Sequence, residues 1–202
     1  QGEKVKVTCT KSNEGFATAG GVQYVACAGN FKDAGLEYTG ALKVLQMIFS
    51  YEYLWIQIRV KGGAYGCMCS FSDQGDSMFV TYRDPNLSES YKVYDEAADY
   101  VADFDADDRD MKKYIIGTIG SMDMPMEAVD MGARSFHAYF LGKTEADLQK
   151  VRDQVLSCTQ EDIRSLAPIV KAVVEAGNRC CIGNEEKIDQ NKEYFDEVKH
   201  VL

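Results

Sequence analysis

The chain has 202 residues, 46% of them apolar and 27% charged, with only 3 prolines. A chain this long buries roughly 70% of the surface its unfolded form exposes, so disorder, collagen-like repeats and linker character are excluded. It carries 22 basic against 32 acidic residues, a formal charge of −10, which argues against a nucleic-acid partner because binding a polyanion needs clustered Lys and Arg.

The apolar pattern predicts strands at Lys4–Thr10 and Gly21–Ala28, then a helix from Leu36 to Ser50 whose Ala41, Leu42, Leu45, Ile48 and Phe49 share one face. Strands follow at Tyr65–Phe71 and Ser77–Tyr82. Asp84-Pro85-Asn86 marks a turn, and Ser88 is expected to cap a helix with Tyr91, Tyr94, Ala97, Ala98 and Val101 inward. Further helices are expected at Asp108–Gly120, Pro125–Leu141, Glu145–Leu156 and Gln160–Ala176. Two of these open with Thr-x-x-Asp, at Thr144/Asp147 and Thr159/Asp162. A strand at Asn178–Ile182 and a helix at Glu185–Val198 close the chain. This order predicts an α+β fold, a mostly antiparallel sheet with helices packed on one face.

No apolar stretch approaches the roughly 18–20 residues needed to span a bilayer. Met47 to Ile58 is interrupted by Ser50, Glu52 and Gln57, so no membrane partner is expected. The N-terminus lacks the basic and apolar regions of a signal peptide, and the start at Gln1 suggests a piece of something longer. Seven cysteines, mostly in apolar runs, fit reduced, buried thiols in the cytoplasm or another reducing compartment better than a disulfide scaffold. Cys67 and Cys69 lack the partners and spacing of a zinc site.

Motif chemistry is sparse. His137 and His200 are the only histidines, and neither has the surroundings of a zinc-peptidase motif. His137 is expected as a hydrogen-bonded, half-buried structural residue in a helix, and His200 as solvated. Asp103, Asp105 and Asp107 imitate the start of a calcium loop. However, Asp108 and Tyr114 stand where that loop requires Gly and Glu, so a solvated helix start is the better reading. In Leu54-Trp55-Ile56-Gln57-Ile58-Arg59-Val60-Lys61-Gly62-Gly63-Ala64-Tyr65-Gly66, the glycines permit a turn with positive φ before a strand. Arg59 and Tyr65 flank it and are both strong donors, suited to a substrate carbonyl or an oxyanion. The alternative is an Arg salt-bridged at a loop edge and a Tyr packed on the sheet.

The string Arg-Val-Lys-Gly-Gly-Ala-Tyr-Gly after Leu-Trp resembles a motif of pitrilysin/insulinase-type zinc metallopeptidases, above all the presequence-protease branch. Gly21-Val22-Gln23-Tyr24-Val25 and Gly40-Ala41-Leu42 precede it in the matching order. Phe79 to Leu87 and Ile115-Ile116-Gly117-Thr118-Ile119-Gly120 follow it. The resemblance implies a mitochondrial-processing-peptidase-like (LuxS-like) metallohydrolase fold and makes residues 1–202 the last of four homologous domains enclosing a chamber. It implies that zinc and a Glu base belong to the N-terminal half of the same polypeptide, which would be this domain's partner. Arg59 and Tyr65 would act on peptide substrates from the C-terminal half. On this reading the chain has no zinc of its own and is inactive alone; a catalytically inactive scaffold of the same fold is the alternative.

Overall fold

Among the described residues, alternation of apolar and polar residues along short segments builds a six-stranded sheet in the order β3-β4-β2-β5-β1-β6. The computed structural model describes Val5 and residues 10–201; the strand expected at Lys4–Thr10 falls outside them apart from its Val5 and Thr10. The strands are β1 (Glu14–Thr18), β2 (Tyr24–Asn30), β3 (Gly66–Phe71), β4 (Asp76–Tyr82), β5 (Asn178–Asn184) and β6 (Glu197–His200). β1 runs parallel to β5 and β6, and the remaining pairs are antiparallel. The α+β class and mostly antiparallel sheet are therefore as expected, whereas β1 and β6 are additions.

The helices are α1 (Ala41–Ile48), α2 (Ser88–Asp95), α3 (Ala97–Ala102), α4 (Asp108–Met122), α5 (Ala128–Phe140), α6 (Glu145–Leu156), α7 (Gln160–Arg164), α8 (Ala167–Glu175) and α9 (Glu185–Gln190). The packed helices cover one face of the sheet. Val25 and Cys27 of β2 point toward it, as does Phe79 of β4, and Ile169, Val170 and Val173 of α8 close over them. The expected α1 face, Ala41 to Phe49, is fully within this core. Each large side chain buried here contributes roughly 1.5–3 kcal/mol. Polar tips inside are paired: the Tyr94 hydroxyl donates to the Val25 carbonyl at 3.1 Å, and the Tyr91 hydroxyl to that of Cys180 at 3.2 Å.

Several expected boundaries are corrected. The first helix starts at Ala41, not Leu36, because Gly35 (φ 74°) ends a separate short turn at Phe31–Ala34. It does not stop at Ser50 either. The chain stays helical to Lys61, with wider i→i+5 bonding over Phe49–Tyr53 and Trp55–Lys61. Ser88 is not a cap: Leu87 occupies that position, and the Ser88 hydroxyl donates to Glu89 at 3.1 Å. The helix expected there is two helices, α2 and α3, meeting at Glu96. α4 runs on to Met122, beyond Gly120, and α5 begins at Ala128 rather than Pro125. The Gln160–Ala176 helix is broken into α7 and α8 because Pro168 cannot donate to the Arg164 carbonyl and crowds it. The last helix ends at Gln190, where Asn191 leaves helical geometry, and Glu197–His200 joins the sheet beside β1. Both Thr-x-x-Asp sites form full capping boxes.

Candidate functional site

The site is built where the long helix ends. The Gly62 N–H donates to the Gln57 carbonyl at 3.0 Å, and the Ala64 N–H reaches back to that of Ile58 at 3.1 Å. A side chain at Gly62 would stand 2.5 Å from the Ile58 carbonyl oxygen, and Gly63 has φ 79°. Only glycine fits this stop without strain. The chain then turns into β3, with the Tyr65 N–H bonded to the Arg83 carbonyl at 3.2 Å.

A second loop buttresses the turn. Asp84 is fully buried. Its carboxylate accepts from the Ser90 hydroxyl at 2.6 Å and the Asn86 N–H at 2.9 Å. Asn86 in turn donates from its amide to the Gly62 carbonyl at 2.6 Å. Burial pushes the Asp84 carboxyl above its ordinary value, and the hydrogen bonds from Ser90 and Asn86 pull it partway back. Arg83, the preceding residue, sits at φ 50°. Sequence reading found the Asp84-Pro85-Asn86 turn but missed this support; the available signal was an Asp two residues before the N–H it accepts.

Arg59 and Tyr65 lie on either side of the turn, as expected. The Arg59 guanidinium stacks over the Trp55 ring, 4.0 Å from its centroid. Among the described residues it has no ion pair, so the salt-bridged alternative does not hold. Tyr65 is 67% exposed, and among the described residues its hydroxyl has no hydrogen-bond partner. Its ring meets Tyr82 edge-on at 5.8 Å, and Tyr82 meets Tyr24 at 5.5 Å. These tyrosines lead onto the open face of the sheet, where Met68, Met78 and Ile182 are also exposed. The corner thus offers a permanent cation and a phenol beside an apolar surface. Trp55, which holds Arg59, was not singled out from the sequence.

The other candidates are placed as follows. Cys67 and Cys69 lie on the helix-covered side of β3 and are free. Burial pushes the Cys67 thiol up to about 11, with the Arg59 charge pulling the other way, so it is a neutral thiol near pH 7. His137 is exposed on α5 rather than half-buried, because α5 has no buried residue. His200 is largely exposed in β6 and lies 3.2 Å from Glu185. Asp107 caps α4 by accepting from the N–H groups of Arg109 and Asp110, both at 2.9 Å, which is the helix-start role expected for the acidic cluster.

A family model described as the PreP C-terminal domain matches residues 13–184. The chain is 44% identical over 192 residues to Protein HypA of Clostridium perfringens, covering 95% of this chain and 20% of that protein. It is 34% identical to presequence protease 1, chloroplastic/mitochondrial, of Arabidopsis thaliana, covering 94% of this chain and 18% of that protein. Among solved structures, the inactive domain of a peptidase M16 from Pseudomonas fluorescens superposes with a TM-score of 0.63 at 15% identity, covering 86% of this chain and 44% of that one. Pitrilysin superposes at 0.53 and 14% identity, covering 87% and 20%. The fold is that of pitrilysin-type (M16) peptidase domains. By its sequence, the chain belongs to the presequence-protease C-terminal domain family. It spans about a fifth of the length of the relatives it matches.

Proposed function

We propose that this chain is the C-terminal domain of a peptide-degrading endopeptidase and that Arg59 and Tyr65 donate hydrogen bonds to the backbone of a bound peptide. The observation that carries this reading is a pair of strong donors on a braced turn that have no hydrogen-bond partner among the described residues. Water satisfies them in the free protein, and a carbonyl oxygen can replace that water at little reorganisation cost. As negative charge develops on the carbonyl oxygen during hydrolysis, both bonds strengthen, the more so where closure excludes solvent. Arg59 contributes a fixed charge and Tyr65 a neutral donor. The contact with Trp55 holds the guanidinium in place.

On this reading the parent enzyme uses zinc. Among the described residues, no three His, Cys, Asp or Glu side chains come together as a metal site. The proposal for this chain is confined to substrate contacts. On this reading the partner is the N-terminal half of the same polypeptide, and the 202-residue chain alone cleaves nothing. The free, mostly buried thiols support a reducing, cytoplasmic setting.

The test is turnover of a peptide by the longer chain carrying Arg59→Ala or Tyr65→Phe. Each is expected to lower kcat by about 10²–10³-fold for a lost oxyanion donor and to leave folding intact. Unchanged turnover in both removes the proposal. A catalytically inactive interaction domain is the second reading, supported by the likeness to the inactive Pseudomonas fluorescens domain. An H-x-x-E-H motif encoded upstream favours the first reading, and its absence the second.

A further inference from the structure

α5 packs no side of itself into the core: none of its residues is buried. Val129, Gly132, Ala133, Phe136 and Phe140 recur at three- and four-residue spacing, so they form one stripe. Such a stripe ordinarily faces the core, yet Val129 is 76%, Phe136 60%, Tyr139 81% and Phe140 70% exposed. The Phe136 and Phe140 rings touch each other, with centroids 4.6 Å apart, and no other described residue covers them. Met124, Met126 and Leu141 extend the apolar surface at both ends. A patch of this kind marks an interface.

We propose that the α5 stripe is a docking face for the polypeptide that precedes this domain in a longer chain, and that it is separate from the Arg59–Tyr65 corner. The length comparison supports that occupant, since the relatives carry about four-fifths of their residues outside the matched region. Size supports it too. Three aromatic side chains bury on the order of 450–750 Å². That suits contact between domains of one chain, where tethering raises effective concentration, better than a free dimer needing about 800 Å² per partner. A bilayer surface fits poorly. The polar side of α5 carries Asp130, Arg134 and His137 rather than a Lys/Arg row, and the chain's charge is −10.

The two surfaces stand at opposite ends of β3. Lys143, just after α5, pairs with Asp73 in the β3–β4 turn, whereas Tyr65 enters the strand at its other end. Six residues of strand separate them by about 20 Å. Docking at α5 therefore leaves the corner open. This inference does not rest on the peptidase reading.

Hydroxyl-radical labelling of Phe136, Tyr139 and Phe140, compared between the 202-residue chain and the longer chain, tests it. At least tenfold slower labelling in the longer chain is expected, with the Arg59→Ala variant behaving identically. A photo-crosslinking phenylalanine analogue at position 140 should crosslink to residues upstream of Gln1 in the same molecule. Phe136→Ser/Phe140→Ser should leave the melting temperature of the 202-residue chain unchanged, so that effects in the longer chain are not misfolding. Equal labelling in both chains, protection that depends on concentration (a second copy), or protection only by phosphatidylglycerol vesicles would each overturn the proposal.

Discussion

At the Arg59 corner, polar donors stand free on a backbone braced by Gly62, Asn86 and buried Asp84. On α5, apolar rings stand free on a helix with no buried residue. The two exposures differ in energy. Water hydrogen-bonds to an exposed guanidinium or phenol, so the corner loses little by waiting for a ligand. An exposed phenylalanine forgoes roughly 1.5–3 kcal/mol of burial. The corner is therefore braced within this domain, whereas the α5 rings would gain from being covered. Substitutions at the corner's support should destabilise the domain, and substitutions on the α5 stripe should not.

The sharpest way to break that contrast is Asp84→Ala. It strips the acceptor from the Ser90 hydroxyl and the Asn86 N–H. A cost of about 3 kcal/mol in urea denaturation is expected, since each buried donor left unpaired costs ~1–3 kcal/mol. A loss below about 1 kcal/mol would mean the backbone holds the turn without this carboxylate. Gly62→Ala comes next, forcing a methyl to 2.5 Å from the Ile58 carbonyl oxygen. It should destabilise by more than about 1 kcal/mol; neutrality would show that the helix end can relax.

A smaller effect is a slope in pH. Asp84 has a folded-state value above the 3.8 of an ordinary aspartate. The folded state therefore binds this proton more tightly than the unfolded state. Its contribution is fully present below the ordinary value and is lost as pH rises through the raised one. Asp84→Asn, which keeps the shape and one acceptor, should flatten that part of the stability–pH curve. An unchanged slope would assign it to other groups. The smallest effect belongs to α5: Phe136→Ser/Phe140→Ser should shift the stability of this chain by no more than about 0.5 kcal/mol, as for surface sites. A larger loss would show that the stripe is already packed.

Much of this was legible in residue order. Ala41 to Phe49 gave the core face of α1 because helical spacing repeats there, and Thr144/Asp147 and Thr159/Asp162 gave their caps because capping is local. β1 and β6 were not legible. Glu14-Gly15-Phe16 and Glu197-Val198-Lys199-His200 have weak strand propensity and are strands because β5 and β1 pair with them. The continuation of the helix to Lys61 was also hidden, since i→i+5 bonding has no three-to-four-residue signature. Arg59 and Tyr65 were found by motif, whereas the roles of Trp55, Asp84 and Asn86 depend on contacts the sequence does not display.

The most direct measurement is a double-mutant cycle in the longer chain: kcat for Arg59→Ala, Tyr65→Phe and both together on one peptide. If the two donors serve one carbonyl oxygen, each single variant should lose about 10²–10³-fold, and the double should lose far less than the product of the two. Full activity in either single variant, or losses that simply multiply, would contradict a shared role.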